Sequence, residues 1–408
     1  MKKEVADVIV VGGGPSGSFA ALKLARLGIN VRVYEEHSEI GLPSHCAGHL
    51  SIRGLKRLRI HPLPVEIVEN TFRGAAFYSP NGKKFLVRFA SPVTCVVDRA
   101  LFEKHLAERA QDAGAEYCLD SRVESLMVKD GIVKGVTITR QGKTEKRMAK
   151  IVIDAEGISS RILRQTGLRG PSRSMLVNGV EAEAENVKDT QLDTVEVFLG
   201  ADYAPGFYAW LIPKKDGKAK IGLAAKARNP KELLQKLLAK HPVASKKLLK
   251  AKIDKIIAHP ITLGGPIPKA YSNGFLAVGD AASQVKSTTG GGVIFGMTCA
   301  AVAAEVAHEA IRQDAFSSKS LSAYGRRCDE ALGFDAKMMI RMRKMLDAMS
   351  DRRLDGLIGL CTKLALDKTL QKVEDIDLQG RTLLHILRSP RALAALSYFF
   401  LAGFFANL

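Results

Sequence analysis

The chain has 408 residues, long enough for two domains or for one large domain carrying an insertion. Apolar residues make up 46% of it, which supports a sizeable core and excludes a disordered chain. The formal net charge of +19 suits nucleic acid, anionic lipid or an acidic protein partner equally well, and a solvated lysine-rich surface no less.

The chain opens on an apolar strand, Val8-Ile9-Val10-Val11, followed by Gly12-Gly13-Gly14-Pro15-Ser16-Gly17. A helix is expected over 18–27, and a second strand, Val31-Arg32-Val33-Tyr34, ends at Glu35. A G-x-G-x-x-G turn between strand and helix lets backbone amides approach a pyrophosphate. Gly12 permits the tight turn, Gly14 keeps a side chain out of the phosphate's path, and Gly17 allows close helix–strand packing. The helix N-terminus then faces the phosphate charge. Glu35 is placed to accept hydrogen bonds from an adenosine ribose, so the pattern predicts a dinucleotide site.

Beyond it, 71–90 alternates apolar and polar residues, as antiparallel strands do. Residues 100–113 read as a helix with Leu101, Phe102, His105, Leu106 and Ala110 on one face. A strand pair is expected over 117–128, and a hairpin-like continuation over 131–139 and 146–153. Short strands over 175–199 and 208–225 suggest a mostly β insertion in the nucleotide-binding domain. The segment Phe275-Leu276-Ala277-Val278 returns to a buried parallel strand, and the chain is helical from Val293 onward. That strand runs into Gly279-Asp280-Ala281-Ala282 and then Thr288-Thr289-Gly290-Gly291-Gly292-Val293. An acid after a strand binds a ribityl or ribose hydroxyl, and the glycines let amides at a helix start approach a carbonyl or phosphate. This looks like the second half of an FAD site.

The surplus charge thickens over 231–255 and 337–353. The six cysteines, Cys46, Cys95, Cys118, Cys299, Cys328 and Cys361, show no C-x-x-C and no zinc or cluster spacing, so no metal site is expected. Reduced thiols in a cytoplasmic protein are the default, with a Cys299–Cys328 bridge conceivable if two C-terminal helices pack together. No targeting peptide is predicted before the first strand. The uncharged end, 392–408, falls short of the ~20 residues of a membrane span and reads as a packed helix or a surface contact.

These features resemble a known fold. The first turn with Glu35, Asp98-Arg99 before a helix, Asp154-Ala155-Glu156-Gly157 after a strand, and Gly279-Asp280-Ala281-Ala282 are similar to the flavoprotein hydroxylase fold. Pro43-Ser44-His45-Cys46-Ala47-Gly48 is similar to the P-x-x-C-x-G of the geranylgeranyl reductase family, and Tyr208-Ala209-Trp210-Leu211-Ile212-Pro213 to its Y-x-W-x-F-P. The run 284–292 resembles that family's flavin loop. Three residues depart from the pattern: Glu156 replaces an aspartate, Ile212 replaces an aromatic, and His49 follows Cys46-Ala47-Gly48.

The resemblance implies an α/β, p-hydroxybenzoate hydroxylase-like architecture: a Rossmann-like FAD-binding domain (1–70, 95–170 and 265–310), an inserted antiparallel β substrate domain (71–94 and 171–264) and a C-terminal helical region (311–408). It implies FAD held by Gly12, Gly14, Ser16, Gly17, Glu35, Cys46, Ala47, Gly48, Arg99, Val123, Asp280, Gly291, Gly292 and Val293. Arg99 would meet the phosphate and adenosine side, and Val123 the adenine through its backbone. Cys46 would lie beside the isoalloxazine ring, either donating a proton to carbon or ordering ring and substrate. Tyr208, Trp210 and His49 would border the substrate.

The implied activity is FAD-dependent saturation of geranylgeranyl double bonds, in the manner of archaeal-type reductases acting on prenyl ether lipids. The donor is ferredoxin, NADPH or another reductant, since no second G-x-G-x-x-G turn is present. Peripheral contact with an anionic membrane from the cytoplasm is expected, and no nucleic-acid binding. An aromatic hydroxylase or monooxygenase is the alternative on the same fold. A quinone-linked electron-transfer flavoprotein is another, although lone Cys328 and Cys361 cannot ligate the iron–sulfur module of such proteins.

Overall fold

The computed structural model describes residues 5–44, 46–215, 217–373 and 375–404, with side chains described as far as Leu401. They group into two compact units. One draws on Met1–Ser44, Arg99–Met175 and Thr262–Ala336, the other on His45–Asp98, Leu176–Ile261 and Lys337–Leu408. Residues 45–70, expected with the nucleotide-binding part, therefore group with the β-rich part. Those of 311–336 stay with the first unit, and the later helices join the second.

In the first unit the central strand Ala6–Val11 runs parallel to Lys143–Asp154 on one side and to Val31–Tyr34 on the other. Phe275–Ala277 extends the sheet in parallel beyond Lys143–Asp154. Val8, Ile9 and Val10 are wholly buried, as a parallel strand covered on both faces requires. Lys143–Asp154 also pairs antiparallel with Ile132–Arg140, and that strand with Ser121–Lys129.

Helix Pro15–Arg26 packs against Arg99–Asp112 and Val293–Arg312. It starts earlier than the expected 18–27 because Pro15 stands at its first turn, where a missing N–H costs nothing. On Arg99–Asp112, Phe102, Leu106, Ala107 and Ala110 face inward, whereas Leu101 is exposed and His105 half-buried. Val293–Arg312 is, among the described residues, the one helix long and apolar enough to cross a membrane. Its Phe295, Met297, Ala300, Ala303 and Ala307 are fully buried, which makes it a core helix of this unit.

The second unit holds an eight-stranded sheet. Its strands Leu176–Glu185, Ala219–Ala225, Ala209–Pro213 and Thr194–Phe198 pair antiparallel in that order, and Thr194–Phe198 then pairs parallel with Gly74–Tyr78. A smaller sheet joins His49–Ser51, Thr94–Val97 and Val68–Phe72. The main core gathers Phe198, Leu211, Ile221 and Leu223 with Leu234 and Leu237 of helix Pro230–Lys240. Ile358, Ala392 and Ala395 of the later helices pack on Phe85 and Val87. The last helix, Pro390–Phe404, buries Phe399 and exposes Leu393, Phe400 and Leu401.

Candidate functional site

The glycine turn lies at the C-terminal end of the central parallel strand, from which the sheet is extended on both sides by parallel strands, the usual ligand position in such sheets. Each glycine there has its own reason. Gly12 has φ +95°, and a Cβ on it would stand 2.6 Å from the Ala155 carbonyl oxygen. A Cβ on Gly17 would stand 2.0 Å from the Gly12 oxygen. Gly14 differs: its φ of −66° suits any residue, and a Cβ would meet nothing nearer than Glu103 Oε2 at 4.0 Å. Neither backbone nor packing demands glycine at 14, so the open space beside it fits an anionic group approaching the backbone. Helix Pro15–Arg26 starts there with no side-chain cap and no acid in its first turn, leaving its N–H groups and dipole for that charge.

Glu35 braces the turn. Its Oε2 accepts the Gly13 N–H at 2.8 Å, and its Oε1 lies 2.6 Å from His37 Nδ1. Ser18 Oγ donates to the Gly13 carbonyl at 2.7 Å and accepts from the Tyr117 hydroxyl at 2.9 Å. Ser16 fills the gap over two glycines, since Cβ atoms on Gly279 and Gly296 would come 2.7 and 2.4 Å from its Oγ. Arg99 pairs with Glu103 one helical turn on, and its field partly offsets the desolvation that lifts the Asp280 carboxyl above its ordinary value. A Cβ on Gly292 would stand 2.8 Å from Asp280 Oδ1, and one on Gly291 2.8 Å from Lys286 Cε. Val293 opens its helix with no acid and no side-chain cap, a second free N-terminus in the unit. Val123 turns its side chain into the core, and its carbonyl accepts from Arg161 at 3.4 Å.

Two residues of the sequence motifs have supporting roles that the motifs do not show. Gln284 accepts the Gly279 N–H and donates to the buried Tyr324 hydroxyl, which donates to the Ala277 carbonyl, each at 2.7 Å. Glu156 uses the extra length that an aspartate lacks. Its Oε1 accepts the Ile162 and Leu163 N–H groups at 2.6 and 3.3 Å, capping helix Arg161–Gln165. Burial and the neighbouring Glu156 push the wholly buried Asp154 carboxyl well up. Cys299 and Cys328 are both free thiols, and a hydrogen bond in which the Cys299 thiol donates to Cys328, together with burial, raises Cys299.

The second unit gathers the other predicted residues. His45 lies outside the described residues; Cys46 is exposed and free. Gly48 adopts φ +71°, and its carbonyl accepts the Val97 N–H at 3.0 Å. His49 Nε2 lies 2.8 Å from Thr94 Oγ1, and its ring meets Phe72 edge-on at 5.6 Å. Ala47 and Trp210 pack on one cluster of Phe72, Val96, Val195 and Ile212, so both reductase-like motifs meet there.

Tyr208 precedes strand Ala209–Pro213 and its ring meets that of Trp210 within it, with centroids 6.0 Å apart. The indole lies flat over Gly222, where a Cβ would come 2.4 Å from Cζ2, and Nε1 reaches Glu181 Oε2 at 3.3 Å. Phe207 stacks on Tyr208 at 4.2 Å, and the Arg343 guanidinium covers Phe207 at 5.7 Å. Burial raises the Tyr208 phenol, Arg343 draws it down, and Cys46 raises it further, so the guanidinium and the thiol each lie within electrostatic reach of the phenol. Asp347 forms ion pairs with both Arg343 at 2.7 Å and Lys226 at 2.9 Å. The expected basic clusters are thus partly internal, because Arg343 and Lys247 are buried in ion pairs, Lys247 with Glu196 at 2.8 Å.

Comparison with known proteins decides the family. Residues 5–332 match the FAD binding domain family. A digeranylgeranylglycerophospholipid reductase of Methanopyrus kandleri is 35% identical over 86% of this chain and 89% of its own. A protein of the same name from Methanocaldococcus jannaschii is 34% identical over 87% and 90%. The chain belongs to this reductase family. Among solved structures, a geranylgeranyl bacteriochlorophyll reductase-like protein from Thermoplasma acidophilum superposes with a TM-score of 0.85, at 26% identity, over 97% of this chain and 99% of that one. A flavin-dependent brominase at 17% identity, TM-score 0.71 and 93% of each chain shares the fold alone. The fold is that of the FAD-dependent hydroxylases and halogenases, and FAD is the cofactor. The open approach beside Gly14 and the two uncapped helix starts suit its charge.

Proposed function

We propose that this protein is an FAD-dependent reductase that saturates carbon–carbon double bonds in the geranylgeranyl chains of prenyl ether lipids. One observation carries the reading: Ala47, the residue after Cys46, packs on the same apolar cluster as Trp210, whose ring meets Tyr208, so the two motifs that resemble the reductases come together in the second unit. Reduced FAD, when bound, supplies a hydride to one alkene carbon. Cys46 gives the proton that the other carbon needs. Tyr208 and Trp210, both partly exposed, offer apolar faces to an isoprenoid, with Phe207 backing Tyr208. An unactivated alkene polarises poorly, so alignment and exclusion of water supply much of the rate.

The lipid substrate makes peripheral contact with an anionic membrane part of this reading. Supporting it are Leu393, Phe400 and Leu401, exposed on the last helix, and a terminal stretch 378–408 that contains Arg381, Arg388 and Arg391 but no aspartate or glutamate. Ferredoxin, NADPH or another reductant delivers the electrons.

The test is anaerobic. Dithionite-reduced protein is mixed with a digeranylgeranylglycerophospholipid, and the products are read by mass. The expected outcome is stepwise gain of two hydrogens per double bond with matching flavin reoxidation. Reoxidation only by oxygen, with an aromatic compound hydroxylated, would favour the monooxygenase alternative.

A further inference from the structure

One charge in the second unit stands in a place that packing alone disfavours. Strand Ala219–Ala225 is buried at every position, and every residue but one is alanine, glycine, isoleucine or leucine. The exception is Lys220, 7% exposed. Its Nζ donates to the Ala47 carbonyl at 3.2 Å and to the Val97 carbonyl at 3.1 Å, and lies 2.7 Å from Glu69 Oε2. Two of the three N–H groups of the ammonium thus go to backbone carbonyls, and the carboxylate balances the charge. Burying such a charge sacrifices stability that a methionine of similar length would keep.

Glu69 does not explain the lysine, because its other oxygen already pairs with Lys214 at 2.7 Å. The two carbonyls remain. One follows Cys46 directly in the chain, and the other ends the strand that donates Val97 N–H to the Gly48 carbonyl. Lys220 and that bond fix successive carbonyls of the Cys46-Ala47-Gly48 turn to one strand end.

We propose that Lys220 is a positioning residue that clamps the Cys46 turn through the Ala47 carbonyl, setting where the thiol stands for proton delivery. The functional half rests on the reading of Cys46 as the proton source, and the structural half does not. Without the clamp, the positive-φ turn keeps Gly48 but loses the bond that orders the residue next to the thiol. A displacement of about 1 Å is enough to cost ~10²-fold in rate.

The experiment uses the full-length, FAD-loaded protein as Lys220→Met, Glu69→Gln, Cys46→Ala and the Lys220→Met/Cys46→Ala double variant. Hydrogen exchange of segment 46–51, thermal unfolding, and anaerobic flavin reoxidation by a digeranylgeranylglycerophospholipid are measured for each. Lys220→Met is expected to speed exchange in the segment and slow reoxidation by ~10²-fold. Glu69→Gln perturbs the same buried network but leaves both carbonyl bonds, so exchange there should stay as in the wild type. On a Cys46→Ala background, Lys220→Met should slow the reaction by less than about threefold, because residues acting as one unit are not additive.

The clamp is overturned if Lys220→Met leaves exchange unchanged, or if Glu69→Gln loosens the segment equally. Full additivity of the two losses overturns action through Cys46. A wild-type rate for Cys46→Ala alone removes the proton-donor reading, while the exchange measurements still judge the clamp.

Discussion

The two units solve the problem of building a site by different means. In the first, the work falls to what is missing: glycines that leave backbone exposed, a helix start without a cap, an open volume beside Gly14. In the second, it falls to side chains placed at a cost in desolvation: Lys220 between carbonyls, Arg343 over an aromatic ladder, Trp210 across Gly222. A cofactor phosphate needs access and partial charge, which backbone provides. A proton delivered to an apolar chain needs a titratable group in an otherwise dry wall, which only side chains provide.

The largest effects should separate the kinds of glycine within the first unit. Gly17→Ala drives a Cβ into the Gly12 carbonyl, and neither backbone can yield without moving the strand. Loss of at least about 3 kcal/mol, or failure to fold, is expected in thermal unfolding of the FAD-free protein. Gly14→Val meets open space, so its FAD-free form should melt near the FAD-free wild type, while the variant as purified should lack the yellow of bound FAD. If both variants unfold alike, Gly14 is a packing glycine and the contrast collapses.

In the second unit the corresponding test is chemical. Cys46→Ala and Cys46→Ser should retain FAD and accept electrons from dithionite, yet slow reoxidation by alkene by the ~10²–10⁴-fold typical of a lost acid–base group. Alanine should be slower than serine, which keeps a weaker acid. A wild-type rate in the alanine variant transfers the proton to water or to another group such as His49.

How far each unit was legible follows from the same contrast. Gly12, Gly14, Gly17 and Glu35 were readable because their determinants are neighbours in sequence and belong to a turn with few sequence solutions. Ser18, Tyr117 and Gln284, which hold those turns in place, were not, since a serine, a tyrosine and a glutamine carry no pattern of their own. Cys46 and Trp210 were found by resemblance alone. Lys220 bonds to a residue 173 positions away, and Arg343 covers Phe207 from a helix in another segment, so spacing reveals neither. One signal was present and passed over: a single lysine in Ala-Lys-Ile-Gly-Leu-Ala-Ala, where a buried strand has no ordinary use for it. Glu156 departs from the family pattern in sequence, and only its reach to a helix cap gives the longer side chain a reason.

Buried side-chain chemistry should also give the second unit its own response to acid. His241 is fully buried, with Nδ1 accepting the Val243 and Ala244 N–H groups at 3.2 Å and its ring edge-on to Phe198 and Tyr203. Burial lowers it from 6.5 to about 4. A depressed histidine keeps its stabilising effect above the unfolded value of 6.5 and loses it as pH falls toward 4, because the unfolded chain binds the proton first. The loss should reach at most about 3 kcal/mol by pH 4. His241→Asn keeps an acceptor for the two amides but does not titrate. It should flatten the 6.5-to-4 part of the pH–stability curve, and an unchanged slope would assign acid sensitivity to other groups.

The smallest expected effect returns to the first unit and asks whether a side chain there matters as side chains do in the second. Glu35 spends one carboxylate oxygen on the Gly13 N–H and directs the other toward His37. Glu35→Ala removes the brace of the turn and, on the reading of this residue as a ribose acceptor, one hydrogen-bonding partner of FAD. Backbone pairing of Ala6–Val11 with both neighbours survives the change, so the fold should persist. The expected cost is about 1.4 kcal/mol, a tenfold weaker FAD complex by fluorescence titration. Glu35→Gln separates the two roles, since an amide oxygen still accepts from Gly13 while the charge is gone. If glutamine retains wild-type affinity, the brace is the whole contribution. If it falls as far as alanine, the carboxylate charge acts on the cofactor directly, and the first unit depends on side-chain electrostatics more than its glycines suggest.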